Sequence, residues 1–319
     1  MAETQANTTN ATAPSPHPLD FDWRYDGTTA SALVDLLRDR GPTLAIGAPS
    51  VARLMQAGGC DITLVDRQPL QGVHNHVVAE ATDFISDRKF LTALVDPPWY
   101  PTQLENWSAA AGAALEIGGC VFVSVWPNRT RPSASEELNA SLERMSKWAD
   151  ITRNVMTLTY ETPGFERTAI DISGLTPLSA SPRAGELIRL DVRVDVPNVS
   201  VKRRDEEWVR FVIDDYQLAV RWANRSGPPT TTKLPVASGW RWPFVSTRAP
   251  GLNRIDIWSS DGEVAILGCP RTTIEVLRRA IQANNVCEFD SALSAMPDLR
   301  SWRIPRPPYR RKIEWLHRQ

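Results

Sequence analysis

Between residues 28 and 172, short apolar runs alternate with amphipathic stretches, and that rhythm admits few folds. The spacing predicts a helix over 28–38, with Thr28 or Thr29 as cap and Ala32, Leu33, Leu36 and Leu37 as its apolar stripe. Leu44 to Gly47 reads as a short buried strand. Pro49 then stands at a first helical position, Val51, Leu54 and Met55 continue one face, and Gly58-Gly59 ends the helix. Ile62 to Asp66 is a second strand, His76 to Ala79 a third and Phe90 to Asp96 a fourth. Thr102 and Glu105 have capping-box spacing, which predicts a helix from there to about Ile117. Cys120 to Trp126 is a fifth strand, and the capping-box spacing of Ser133 and Glu136 opens a helix to about Trp148. Ile151 to Tyr160 and Thr168 to Ile172 read as a closing hairpin around Pro163-Gly164. Strands alternating with helices imply an α/β, doubly wound, mostly parallel sheet with right-handed crossovers, here of seven strands.

The rhythm changes after Ser173. Residues 173–185 are rich in Pro, Ser and Gly and read as a linker. Ile188, Leu190, Val192, Val194 and Val196 alternate with Arg189, Asp191, Arg193 and Asp195, as a half-buried strand requires. Trp208 to Ile213 and Leu218 to Trp222 form a hairpin pattern around Asp214-Asp215. Ile255 to Trp258 and Val264 to Leu267 are further strands, and Thr273 to Gln282 is an amphipathic helix. The expected organisation is therefore a disordered tail over 1–18, a sheet domain over 19–172, a linker over 173–185, a smaller β-rich α+β substrate or interaction domain over 186–299, and a basic aromatic tail over 300–319.

Charge separates the two halves. Residues 1–172 carry 13 Lys and Arg against 21 Asp and Glu, a net of −8. Residues 173–319 carry 23 against 16, a net of +7. Such a split suits two units that dock on each other or take different partners. Trp240-Arg241-Trp242 and the seven Lys and Arg between Arg300 and Gln319, interleaved with Trp302, Tyr309 and Trp315, have the composition of a nucleic-acid contact. Basic tails that cover an acidic neighbour have the same composition. No apolar run reaches the roughly 20 residues that span a bilayer, and Met1 to Pro18 has no signal-peptide pattern. Cys60, Cys120, Cys269 and Cys287 are dispersed and read as buried free thiols in a cytoplasmic chain. His74 and His76 lack a nearby third ligand, so no metal site is expected.

Ligands bind such sheets at the carboxyl ends of the strands. Gly47, Asp66 and Asp83 fall there, and Gly47 to Asp66 spans the roughly 20 residues from a glycine turn to a ribose-binding acid. The turn is Gly47-Ala48-Pro49-Ser50, compact but not glycine-rich, and Pro49 removes one backbone donor. An ordinary strand-to-helix turn beside a surface Asp66 fits the same residues.

The sharpest motif is Asp96-Pro97-Pro98-Trp99 at the end of an apolar strand. An exocyclic amine is a weak nucleophile, because its lone pair is delocalised into the ring. A carboxylate can accept its N–H and draw the nitrogen toward tetrahedral geometry. Prolines present carbonyl acceptors and no competing donors, and Trp99 offers a face for stacking a planar substrate.

This motif resembles the Asp/Asn-Pro-Pro-aromatic loop of amino-methyltransferases acting on adenine N6, cytosine N4 or protein glutamine. Residues 26–172 follow that family's order of cofactor loop, ribose acid, catalytic loop and terminal hairpin. The resemblance implies a class I, Rossmann-like methyltransferase fold and S-adenosyl-L-methionine as cofactor. It also implies that Gly47, with Ala48 and Ser50, lies under the methionine part, that Asp66 holds the ribose, and that Asp83 contacts the adenine. The family's glycine-rich first motif is reduced here to Gly47-Ala48-Pro49-Ser50. The expected function is methyl transfer to an amine nitrogen, with a nucleobase as the favoured acceptor. Branched-polyamine synthases carry a similar acidic-Pro-Pro-aromatic loop, so aminopropyl transfer is an alternative. A non-catalytic binding module on the same scaffold is another.

Overall fold

The computed structural model describes residues 23–67, 73–128, 130–162, 183–196, 208–213, 216–222, 231–233, 255–259, 263–296, 299, 302, 304–309 and 314–316. The first sheet holds β1 (Arg24–Tyr25), β2 (Thr43–Ile46), β3 (Ile62–Asp66), β4 (His76–Val78), β5 (Phe90–Val95), β6 (Leu115–Val125), β7 (Ala149–Glu161) and β8 (Ala184–Val192). Their spatial order is β1-β7-β8-β6-β5-β2-β3-β4. From β4 through β3, β2 and β5 to β6 every neighbour is parallel. The chain steps outward from β2 to β4, then returns to the other side of β2 with β5. The topological switch point therefore lies between β2 and β5. With helices α1 (Gly27–Leu37), α2 (Pro49–Ala57), α3 (Pro101–Ala113) and α4 (Ala134–Met145), this is a doubly wound, Rossmann-like fold. Among the described residues it has eight strands: six of the seven expected, together with β1, whose Arg24 and Tyr25 pair with Glu161 and Tyr160 at the edge, and β8.

The strand that closes the sheet differs from expectation. β8 lies between β6 and β7 and is antiparallel to both. The alternating run around Ile188 thus belongs to the first sheet and does not begin the second unit at residue 186. The reason is burial: Leu187, Ile188, Leu190 and Val192 fill the first core, roughly 1.5–3 kcal/mol apiece. Arg189 and Asp191 are half-buried on one face and pair with each other at 2.6 Å. Ala184 and Gly185, assigned to the linker, are already in this strand. The expected strand Thr168–Ile172 and most of the linker lie outside the described residues.

Local expectations hold with adjustments. Asp26, not Thr28 or Thr29, caps α1, its carboxylate accepting the Thr29 N–H at 2.7 Å. Helix α3 starts at Pro101 and stops at Ala113, short of Ile117. Glu105 does not close a capping box there, because its carboxylate accepts from Ser141 Oγ (2.6 Å) and Arg144 Nε (2.8 Å) on α4. Only Cys120 of the four cysteines is fully buried. Cys287, on the first turn of a short helix, is exposed.

The second sheet is antiparallel, in the order β11-β13-β12-β10-β9-β14. Its strands are β9 (Trp208–Ile213), β10 (Tyr216–Arg221), β11 (Thr231–Lys233), β12 (Ile257–Ser259), β13 (Val264–Leu267) and β14 (Glu314–Leu316). Helices α5 (Pro270–Ala283) and α6 (Val286–Leu293) share its core. The region expected as a basic aromatic tail is partly structural. Trp302 and Ile304 are buried in this core, and β14 pairs with β9. An indole is better buried than solvated, so Trp302 is lost as a base-stacking surface. Trp240-Arg241-Trp242 lies outside the described residues. None of the helices among the described residues is long and apolar enough to cross a membrane.

Candidate active site

Asp96 follows β5, so it emerges at the switch point opposite the end of β2. Its N–H donates to the Ile46 carbonyl at 3.0 Å, and the Gly47 N–H donates to Val65 at 3.0 Å. Gly47 has φ +68°, and a Cβ there would lie 3.0 Å from the Asp96 carbonyl oxygen and 2.8 Å from the Trp107 ring on α3. Glycine is required twice over, for the left-handed backbone and for the close approach.

The Asp96 carboxyl turns into a cluster that the motif alone does not reveal. Tyr160 Oη on β7 donates to Asp96 Oδ1 at 2.8 Å. Tyr25 on β1 shares a hydrogen bond with Ser124 on β6, and its ring lies 5.0 Å from that of Tyr160. Burial pushes the Asp96 carboxyl up to about 7, while hydrogen bonds from Tyr160, Ser124 and Tyr25 and the charge of Arg183 oppose the rise. Burial, and then the Asp96 charge, push both tyrosines well above their usual range. They therefore remain O–H donors at neutral pH.

Gly185 makes this geometry possible. A Cβ on it would lie 3.1 Å from the Trp99 ring and 3.4 Å from the Tyr160 ring. A glycine inside a strand marks such a close approach. Over that gap Trp99 and Tyr160 meet edge to face, centroids 5.7 Å apart at 84°. The Arg183 guanidinium carbon lies 3.9 Å from the Trp99 centroid and 4.2 Å from that of Trp23.

Two features of the loop differ from expectation. Trp99 was expected to offer an open face; it is 8% exposed and covered by Arg183, because a cation over an indole is favourable in a half-buried setting. The Pro98 carbonyl is taken by the Tyr100 N–H at 2.7 Å, whereas Pro97 is buried and Pro98 partly so.

The residues expected to hold a cofactor line the ends of three adjacent parallel strands. Gly47 follows β2, Asp66 ends β3, and Asp83 closes the 3-10 turn Ala81–Asp83 after β4. Ala48 is buried and takes the N-cap position of α2 with no side-chain cap. Ser50 Oγ is buried and has no hydrogen-bond partner among the described residues, which fits a polar group at this turn. Pro49 at the helix start and the Trp107 ring over Gly47 narrow this turn compared with a glycine-rich one.

Tyr25, Ser124, Tyr160, Arg183 and Gly185 were not found by sequence reasoning. Tyr160 ends a predicted strand, and Gly185 opens an alternating run; neither signal says which strands pair.

No family model matches the chain, and no curated protein matches it by sequence. Several solved structures are similar to it. A 16S rRNA methyltransferase of T. thermophilus, solved with AdoMet and guanosine, aligns over 64% of this chain and 50% of its own, at 12% identity and a TM-score of 0.37. An rRNA methylase of Streptococcus thermophilus aligns over 52% and 95%, at 13% identity and 0.32. The N-methyltransferase NodS of Bradyrhizobium japonicum aligns over 52% and 94%, at 13% identity and 0.34. At such values the fold assignment stands on strand order and connectivity.

Proposed function

We propose that this chain is an S-adenosyl-L-methionine-dependent methyltransferase acting on an amine nitrogen, and that the acceptor is an exocyclic amine of a nucleobase. The observation that carries the reading is the pairing of Gly47 and Asp96 across the switch point, with the Asp96 carboxyl held by Tyr160. The cofactor supplies an electrophilic methyl group when bound. Gly47, Ala48 and Ser50 form its proposed cradle, with Asp66 for the ribose hydroxyls and Asp83 toward the base. The Gly47 turn and the unpartnered Ser50 hydroxyl fit such a group.

The chain's own residues then have defined work. The ionised Asp96 accepts one N–H of the acceptor amine and takes up that proton as the nitrogen becomes cationic. The Pro97 carbonyl is the proposed acceptor for the second hydrogen, since the Pro98 carbonyl already serves Tyr100. Tyr160 fixes the carboxylate's orientation, so much of the rate comes from positioning. The net +7 of residues 173–319 supports a polyanionic acceptor.

Calorimetry with S-adenosyl-L-methionine, followed by transfer of its labelled methyl group to DNA and RNA, tests the reading. Asp96→Ala should cut transfer about 10²–10³-fold while cofactor binding persists. No cofactor binding, or undiminished transfer by Asp96→Ala, defeats it. A branched product from decarboxylated cofactor and spermidine would move the chain to aminopropyl transfer.

A further inference from the structure

Trp23 and Trp99 hold a planar group between them. Arg183 Cζ lies 4.2 Å from one ring centroid and 3.9 Å from the other. Both indoles stand nearly perpendicular to Tyr160, at 86° and 84°. The guanidinium thus lies against both indoles while Tyr160 meets each of them edge to face, a slot whose floor is Tyr160 and whose floor hydroxyl donates to Asp96 at 2.8 Å. A flat group stacked on both walls needs two contact distances of roughly 3.5–4 Å, and the guanidinium has that fit.

The occupant resembles the proposed substrate in shape. A guanidinium is planar and edged with N–H groups, like the amidine edge of adenine or cytosine. Among the described residues no carboxylate or carbonyl accepts a hydrogen bond from it. Its five donors are satisfied by neither wall. Among the described residues it is held by stacking and by the charge of Asp96, with no hydrogen bond to break, and from its half-buried place just before β8 it can leave and regain its hydration.

We propose that the slot between Trp23 and Trp99 is the subsite for the acceptor base, that Trp23 is its second stacking wall, and that Arg183 is a placeholder which an amine-bearing base displaces. The proposal deepens the methyl-transfer reading and rests on it. It places the exocyclic amine at the Asp96 end of the slot. Arg183 also keeps the two indoles apart, so the slot does not collapse between turnovers.

The test uses the full chain and a single-stranded oligonucleotide carrying one 2-aminopurine. Stacking between two indoles should quench the 2-aminopurine emission. Arg183→Ala should lower the half-quenching concentration by about tenfold, since the placeholder no longer competes. Trp23→Ala should abolish the quench while fluorescence anisotropy still reports oligonucleotide binding; Trp23→Phe, which preserves a packed ring, should restore part of it. Circular dichroism checks that each variant folds. An unchanged or raised half-quenching concentration in Arg183→Ala overturns the proposal, as does quenching that survives Trp23→Ala. Displacement of the quenched oligonucleotide by an arginine-bearing peptide, with methyl transfer to that peptide, overturns it in favour of a protein acceptor. Calorimetry with S-adenosyl-L-methionine separates the two levels. Cofactor binding and transfer with no effect of either variant removes the slot alone; quenching as expected with no cofactor binding removes the methyl-transfer reading and leaves the slot.

Discussion

Tyr160 Oη donates to Asp96 Oδ1 at 2.8 Å, across 64 residues of sequence. The bond opposes the rise that burial imposes on this carboxyl, which with the bond in place sits at about 7. An acceptor of amine protons works only while it is ionised, so this tyrosine sets the pH range of the proposed chemistry.

Tyr160→Phe should therefore raise the Asp96 value further. The acidic limb of the kcat/KM profile for methyl transfer moves upward by about one unit, and the rate at pH 7 falls about fivefold. A KM and pH profile matching the parent would show that Tyr160 does not act on Asp96. The hydroxyl is what is removed, so a merely structural loss would lower the rate equally at every pH.

Stability should carry the same signature. The folded value of about 7 lies above the unfolded carboxyl at about 3.9. The protonated folded form is thus favoured: its contribution is complete below about pH 4 and is lost as pH rises through about 7. Asp96→Asn keeps the shape and removes the titration. Its melting temperature should exceed the parent's at pH 8, by the equivalent of about 1–3 kcal/mol, and match it more closely at pH 5. Thermal melts across that range decide it, and parallel curves for the two proteins would be the contrary result.

Gly47→Ala forces a Cβ to within 2.8 Å of the Trp107 ring on a backbone at φ +68°. The left-handed backbone costs about 1–2 kcal/mol and the crowding about as much again. Adding Trp107→Leu should recover the crowding share only. Urea titrations of the single and double variants measure both shares; equal midpoints for parent and Gly47→Ala would contradict the close approach.

The first sheet needs β8. A fragment of residues 19–172 leaves β6 and β7 without the strand between them, and should lack cooperative unfolding. A fragment of residues 19–196 restores Leu187, Ile188, Leu190 and Val192 to the core and should unfold cooperatively. Circular dichroism melts compare them, and a cooperative transition in the shorter fragment would argue against the pairing.

What the sequence determined by itself is local and periodic. The alternation of runs from residue 28 to 148 announces a doubly wound sheet, because helical and extended periods must each bury one face. The strand ending in Asp96, and the span from Gly47 to Asp66, place a candidate crevice at strand ends by connectivity alone. Tertiary structure decided the rest, because strand pairing is non-local. The alternation around Ile188 says that one face is wet, yet nothing in it says which strands flank it, and so β8 was assigned to the wrong unit. Tyr25, Ser124, Tyr160 and Arg183 carry no motif; only the order β1-β7-β8-β6-β5 brings them to Asp96. Trp99 illustrates the same limit, since its place after a Pro-Pro pair was legible, while the guanidinium on its face comes from a residue 84 positions later, just before β8.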